Sequence, residues 1–224
     1  SSFQAMAARY IGAMRTIQPA GPYTLGGWSS GGLIAYEMAQ QLCGDVERLV
    51  LIDTPAPHVV KKPTQDELLA WFIDDLQLGL DVDALETSIL PSAENSNGCE
   101  RLETALKQLG ADQLSESALA VELMPLYRVF SSVIESTAGY QPSALPVQIQ
   151  LVRATKAVVR EYFEHPANDK DDWGWSALTD GVRVETTWVE GTHYTLMTQA
   201  SAQHVADILK RRASAADLEL IARS

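Results

Sequence analysis

An α/β fold built on a mostly parallel sheet and interrupted by a helical insertion is what this sequence predicts, and three observations lead there. Tyr23 to Trp28 alternates like a short strand and runs directly into residues with helical spacing, the arrangement of a strand feeding a helix. Leu49-Val50-Leu51-Ile52 is a continuous apolar stretch, as in a central parallel strand covered on both faces. From about residue 57 to 141 the periodicity is helical without strands, which is more than the single crossover helix two parallel strands need, so this block is an insertion.

Composition sets the outer bounds. A chain of 224 residues with 46% hydrophobic content can bury one substantial core. The net charge of −12 argues against nucleic acid, because Lys61-Lys62 and Lys210-Arg211-Arg212 are short clusters rather than a stripe that neutralises phosphates. Cys43 and Cys99 lack metal-ligand spacing and suggest no disulfide framework, so no metal site is expected and a reducing compartment is. No apolar run reaches the length of a membrane span, and the first residues lack a signal-peptide plan; a cytoplasmic protein with no membrane partner is the expectation.

In chain order, Phe3, Met6, Ala7, Tyr10, Ile11, Met14 and Ile17 predict an amphipathic helix over 2–18, ended by Pro19 and Gly21-Pro22. A strand at Tyr23 to Trp28, a helix from Gly31 to Cys43 with Gly44 as its cap, and a strand at Val46 to Ile52 follow. Within the insertion, Thr64 and Glu67 form a capping box ahead of Leu68, Leu69, Phe72, Ile73 and Leu76. Further helical stretches are expected at 82–90, 100–109 and around Leu126 to Ile134, where Pro125 either starts the helix or kinks it away from 119–124. Strands resume at Val147 to Val152 and Val182 to Val189, separated by an acidic loop that Trp173 and Trp175 anchor, and a helix covers 201–212. The resulting plan is a core of 1–56 and 142–212, a helical lid of about 57–141 and a tail of 213–224.

The chemistry concentrates at three points. Gly27-Trp28-Ser29-Ser30-Gly31 fits G-x-S-x-G, the nucleophile elbow, in which a serine stands on a tight strand-to-helix turn and small residues on either side avoid collision. Gly27 and Gly31 are read as meeting that need, and Gly32 as letting the helix pack closely. Ser29 then lies at a helix N-terminus, where the Ser30 backbone N–H can serve an oxyanion hole. Asp53 follows the second strand directly, at the carboxyl edge where such sheets assemble their sites. No carboxylate closely follows the Val147 to Val152 strand, where Arg153-Ala-Thr-Lys stands instead, so Asp53 gains by elimination. His193 lies on the loop after the last strand and completes the order Ser, Asp, His. His58, His165 and His204 occupy a proline-rich segment, a loop before Pro166 and the final helix, and fit the base role less well.

Gly26 to Glu37, then Leu49-Val-Leu-Ile-Asp-Thr-Pro55, a helical block, and Gly191-Thr-His-Tyr-Thr-Leu-Met197 together resemble terminal thioesterase domains of modular polyketide and nonribosomal peptide synthases, and the likeness spans most of the chain. It implies an α/β-hydrolase fold with a helical lid, Ser29 as nucleophile, Asp53 as acid and His193 as base. It implies no directly bound cofactor: the acyl thioester substrate would arrive on the phosphopantetheine arm of an upstream acyl or peptidyl carrier protein, and leave by hydrolysis or macrocyclisation. Members of that family begin with several strands and a loop that donates the second oxyanion N–H, and this chain departs from the pattern there. The N-terminal strands are therefore expected to be missing from it, leaving about four strands with the elbow strand at an edge. A stand-alone editing thioesterase or esterase of the same fold and a non-catalytic partner-binding domain are the rival readings. A carrier domain upstream would exclude the first, and stoichiometric labelling of Ser29 would exclude the second.

Overall fold

The computed structural model describes residues 2–58, 62–77, 98–108, 122–156 and 165–210. These divide into two compact units: the residues before 60 and from Tyr140 onward form one, and those between form the other.

The larger unit is a four-stranded sheet in the order β1 (Tyr23–Trp28), β2 (Val46–Ile52), β3 (Ile149–Ala154), β4 (Val184–Val189), with every pair parallel. Register sets Trp28 beside Ile52 and Ile52 beside Val152, so the carboxyl ends of adjacent strands share one rim. β1 is an edge, paired only with β2 among the described residues.

Alternation along the strands builds a layer on each face. Val50, Ile52, Val152, Ala154 and Val189 pack with Leu196 and with Val205 and Ile208 of α6 (Gln199–Lys210). Leu49, Leu51 and Leu151 point the other way, where α2 (Ser30–Leu42) contacts β1 and β2 and is itself backed by α1 (Phe3–Arg15). Burial of these side chains, about 1.5–3 kcal/mol each relative to exposure, is the main force holding the layers together. Tyr36 of α2, fully buried, donates its hydroxyl toward the carbonyls of Leu178 (2.6 Å) and Ser143 (2.9 Å). Burial pushes this phenol up to about 12, so it stays a donor at neutral pH.

The smaller unit contains α3 (Gln65–Asp75), α4 (Gly98–Gln108) and α5 (Met124–Ala138). Leu68, Leu69, Phe72 and Ile73 of α3 pack with Leu102 and Leu106 of α4 and Met124 and Tyr127 of α5. The capping box is present, with Thr64 accepting from the Glu67 N–H and Glu67 accepting from the Thr64 N–H. Pro125 lies in the first turn of α5, and Glu122 and Leu123 ahead of it are themselves in a π-helical turn. The helices expected at 82–90 and 119–124 fall wholly or mostly outside the described residues, as does the tail 213–224.

Several boundaries move for local reasons. β3 and β4 begin two residues later than the apolar runs suggest, because Val147 turns back to bond the Leu145 carbonyl and Val182 bonds the Thr179 carbonyl. The elbow helix spans Ser30–Leu42 rather than Gly31 to Cys43, and Cys43 itself takes the left-handed conformation (φ 47°) ahead of Gly44 (φ 97°). The first helix is shorter than 2–18, and α4 and α6 each begin two residues before the starts expected at 100 and 201.

Candidate active site

β1 ends at Trp28, and Ser29 turns the chain into α2 with φ 56° and ψ −132°, a conformation that costs a side-chain-bearing residue about 1–3 kcal/mol. Three contacts offset that cost. The Ser29 N–H donates to the Ile52 carbonyl at 2.9 Å, and the Ser29 carbonyl accepts from the Gly32 N–H (3.0 Å) and the Thr54 hydroxyl (2.7 Å). Ser30 opens α2, so its N–H is among those for which a helix supplies no acceptor.

The glycines divide the steric work differently from the motif's apparent symmetry. A Cβ on Gly27 would sit 2.2 Å from the carbonyl carbon and oxygen of Gly31, and one on Gly32 would sit 2.3 Å from the Thr54 hydroxyl. A Cβ on Gly31 would meet nothing within 4 Å, so the expectation that Gly31 must lack a side chain is corrected. The close approach is of Gly27's missing side chain onto Gly31's backbone, which any residue would present.

Asp53 continues from β2 in a left-handed conformation (φ 47°) and is buried. Its N–H donates to the Val152 carbonyl at 2.7 Å, and its Oδ1 accepts the Ala154 N–H at 2.8 Å. The second oxygen, Oδ2, lies 2.8 Å from His193 Nδ1, and the imidazole is also buried. A carboxylate only accepts, so the proton of this bond sits on Nδ1 and Nε2 is left as the basic nitrogen.

His193 reaches Asp53 from the far side of the sheet. β4 lies two strand spacings from β2 and three from β1, about 10 Å and 14 Å. The loop that spans this distance is pinned near its start: Lys156 N–H donates to the Gly191 carbonyl (2.9 Å), Lys156 Nζ pairs with Glu190 (3.0 Å), and Ser201 Oγ donates to the Glu190 carbonyl (2.9 Å). Leu196, fully buried, anchors the segment beyond. Over β1, the Trp28 indole stacks on the His193 ring with centroids 4.9 Å apart, and its Nε1–H donates to the His193 carbonyl at 3.2 Å.

Asp53 and His193 thus meet directly, while Ser29 follows the strand paired with the one that leads into Asp53, and Trp28, its neighbour, touches His193. The remaining histidines take other places. His165 accepts the Ala167 N–H on Nδ1 (3.0 Å) and donates from Nε2 to the Ala56 carbonyl (2.8 Å); burial, reinforced by the nearby His58, pushes it down to about 4. His204 is exposed on α6. Among the described residues no cluster of potential ligands could hold a metal ion.

The residues that brace this arrangement stand at no motif position. Thr54 is fully buried, and its hydroxyl ties the turn bearing Ser29 to the turn bearing Asp53. Trp175 Nε1 donates to the Thr54 carbonyl at 2.8 Å, and Ala56 N–H donates to the Trp173 carbonyl at 3.1 Å. With His165, these hold the backbone after Asp53 on both sides. The one sequence signal was the pair of tryptophans in an otherwise acidic loop.

A family model described as Thioesterase domain matches residues 1–213. The chain belongs to the thioesterase-domain family. This chain is 32% identical over 221 residues to the non-reducing polyketide synthase crz7 of Cladonia metacorallifera, covering 88% of this chain and 9% of that one. Among solved structures, a four-domain nonribosomal peptide synthetase, holo-AB3403 bound to AMP and glycine, matches with TM-score 0.68 and 25% identity over 93% of this chain and 16% of that one. The NocB thioesterase domain in covalent complex with a fluorophosphonate nocardicin G analogue matches with TM-score 0.55 and 24% identity over 94% of this chain and 74% of that one. The chain spans about a tenth of the length of the polyketide synthases it matches. Its fold is that of the α/β-hydrolases, and among the described residues no helix is long and apolar enough to cross a membrane.

Proposed function

We propose that this domain releases an acyl chain from a carrier protein through a covalent intermediate on Ser29, with His193 as base and Asp53 as its partner. The observation that carries the reading is the buried Asp53–His193 bond, formed at the end of the strand paired with the one that leads into Ser29.

His193 Nε2 takes the proton of Ser29 Oγ as the oxygen attacks the thioester carbonyl, and Asp53 opposite Nδ1 stabilises the imidazolium. The Ser30 N–H receives the oxyanion. Collapse expels the thiolate, which takes the proton from His193 and leaves as the thiol, with an ester on Ser29. Water, or a hydroxyl of the chain itself, then attacks with His193 again as base, giving a free acid or a ring and restoring Ser29.

The substrate is proposed to arrive on the phosphopantetheine arm of an upstream carrier protein, since similar sequences lie within polyketide synthases. The same likeness favours a polyketide chain over a peptide. The helical unit of 60–139 is proposed as the lid whose shape selects that chain.

Mass spectrometry after incubation with a short acyl N-acetylcysteamine thioester tests this. Ser29→Ala is expected to abolish the acyl adduct, and Ser30→Ala to leave most of it, because Ser30 acts through its backbone. Adduct on the Ser29→Ala protein would remove Ser29 from the role.

A further inference from the structure

Trp28 occupies the variable position before the nucleophile, and its placement gives it a part in the chemistry that the motif does not assign. It is 38% exposed, so burial of apolar surface does not account for a tryptophan there. Its contacts do. The indole lies along the His193 imidazole at 4.9 Å with 27° between the planes, and Nε1–H donates to the His193 carbonyl at 3.2 Å. One rigid side chain therefore grips residue 193 by its ring and by its backbone, at the point where the loop from β4 has crossed to the opposite edge of the sheet.

We propose that Trp28 is the positioning residue for the base: its stacked ring and its indole N–H hold the His193 ring over the elbow, and its π face stabilises the imidazolium formed when Ser29 gives up its proton. This rests on the assignment of His193 above. Asp53 fixes one edge of the imidazole through Nδ1, Tyr194 meets the ring edge-on with centroids 5.3 Å apart, and the stacked indole covers its face and opposes tilting of the ring. Because Trp28 and Ser29 are adjacent in the chain, the residue that contacts the base directly precedes the strained turn that presents the nucleophile. An indole face also favours a cation over a neutral ring, so the contact strengthens as the proton transfers.

Two variants separate the parts. Trp28→Phe keeps an aromatic face and loses the donor; Trp28→Leu loses both. With the N-acetylcysteamine thioester, kcat is expected to fall about 5-fold for Trp28→Phe and about 30-fold for Trp28→Leu, with KM unchanged within about 2-fold, from one neutral hydrogen bond and one cation–π contact. A loss confined to KM would make Trp28 a substrate contact and overturn the proposal, as would wild-type kcat in both variants while His193→Ala is inactive. Activity in His193→Ala would instead overturn the assignment of the base, and the proposal with it. Indole N–H resonances give a readout independent of turnover: the signal lost in Trp28→Phe must shift in His193→Ala. An unmoved signal would show that the stacking is absent in solution and would also overturn the proposal.

Discussion

Replacing Asp53 by asparagine changes one oxygen to an amide nitrogen, and the structure dictates what that does. The Asp53 carboxylate has two occupied sides: Oδ1 takes the Ala154 N–H at 2.8 Å, and Oδ2 faces His193 Nδ1 at 2.8 Å. Asparagine can satisfy only one side as before. With its oxygen toward Ala154, its NH₂ faces Nδ1, which must then accept; the imidazole proton moves to Nε2 and the base is lost. With the amide flipped, the tautomer is correct, but an NH₂ confronts the buried Ala154 N–H, leaving it unsatisfied at about 1–3 kcal/mol. At about 1.4 kcal/mol per factor of ten, the competent orientation is populated roughly 5- to 150-fold less. Loss of the charge opposite the imidazolium adds to this, for a total on the order of 10⁴ in kcat, the size of the corresponding change in the serine-protease template. The assay is the rate of Ser29 modification by a fluorophosphonate together with thioester turnover. Asp180→Asn is the control, since Asp180 lies exposed on a turn. A loss below about tenfold for Asp53→Asn would refute the tautomer argument, and a large loss for Asp180→Asn would reassign the acid.

Gly27→Ala is expected to destabilise the fold by about 3 kcal/mol or more, because its Cβ meets Gly31 backbone that cannot step aside. Gly31→Ala, despite standing at a motif position, should be neutral or stabilising by up to about 1 kcal/mol, as for alanine replacing glycine in a helix. Urea denaturation of both variants checks the contrast, and equal destabilisation would contradict it. His165 yields a pH effect. Its folded value lies near 4, below the ordinary 6.5, so the unfolded chain binds its proton more readily and the stability held by the neutral ring is full above pH 6.5 and lost as pH falls toward 4. The urea midpoint of the wild type should therefore fall more steeply between pH 7 and pH 5 than that of His165→Gln; parallel declines would mean that His165 does not contribute.

The amino-acid sequence by itself determined which segments could be strands and where the reactive residues stood along the chain. β1 and β2 were legible to the residue, because a run such as Leu49 to Ile52 has few ways to bury both faces, and an elbow leaves Gly and Ser in a fixed spacing. The starts of β3 and β4 were not, since Val147 and Val182 are as apolar as their neighbours and only the turn each one closes removes it from the ladder. Asp53 and His193 were nominated by order and elimination; that they share a 2.8 Å bond is a property of the loop that crosses the sheet. The structure alone decided that Gly27 and Gly32, and not Gly31, must lack a side chain, that Thr54 ties the two turns together, and that Trp28 lies on the imidazole. Each of these joins residues many positions apart, and local spacing carries no information about separations that folding closes. Hydrophobic periodicity encodes which face of an element is buried; which side chain waits there is set by the packing of all the elements at once.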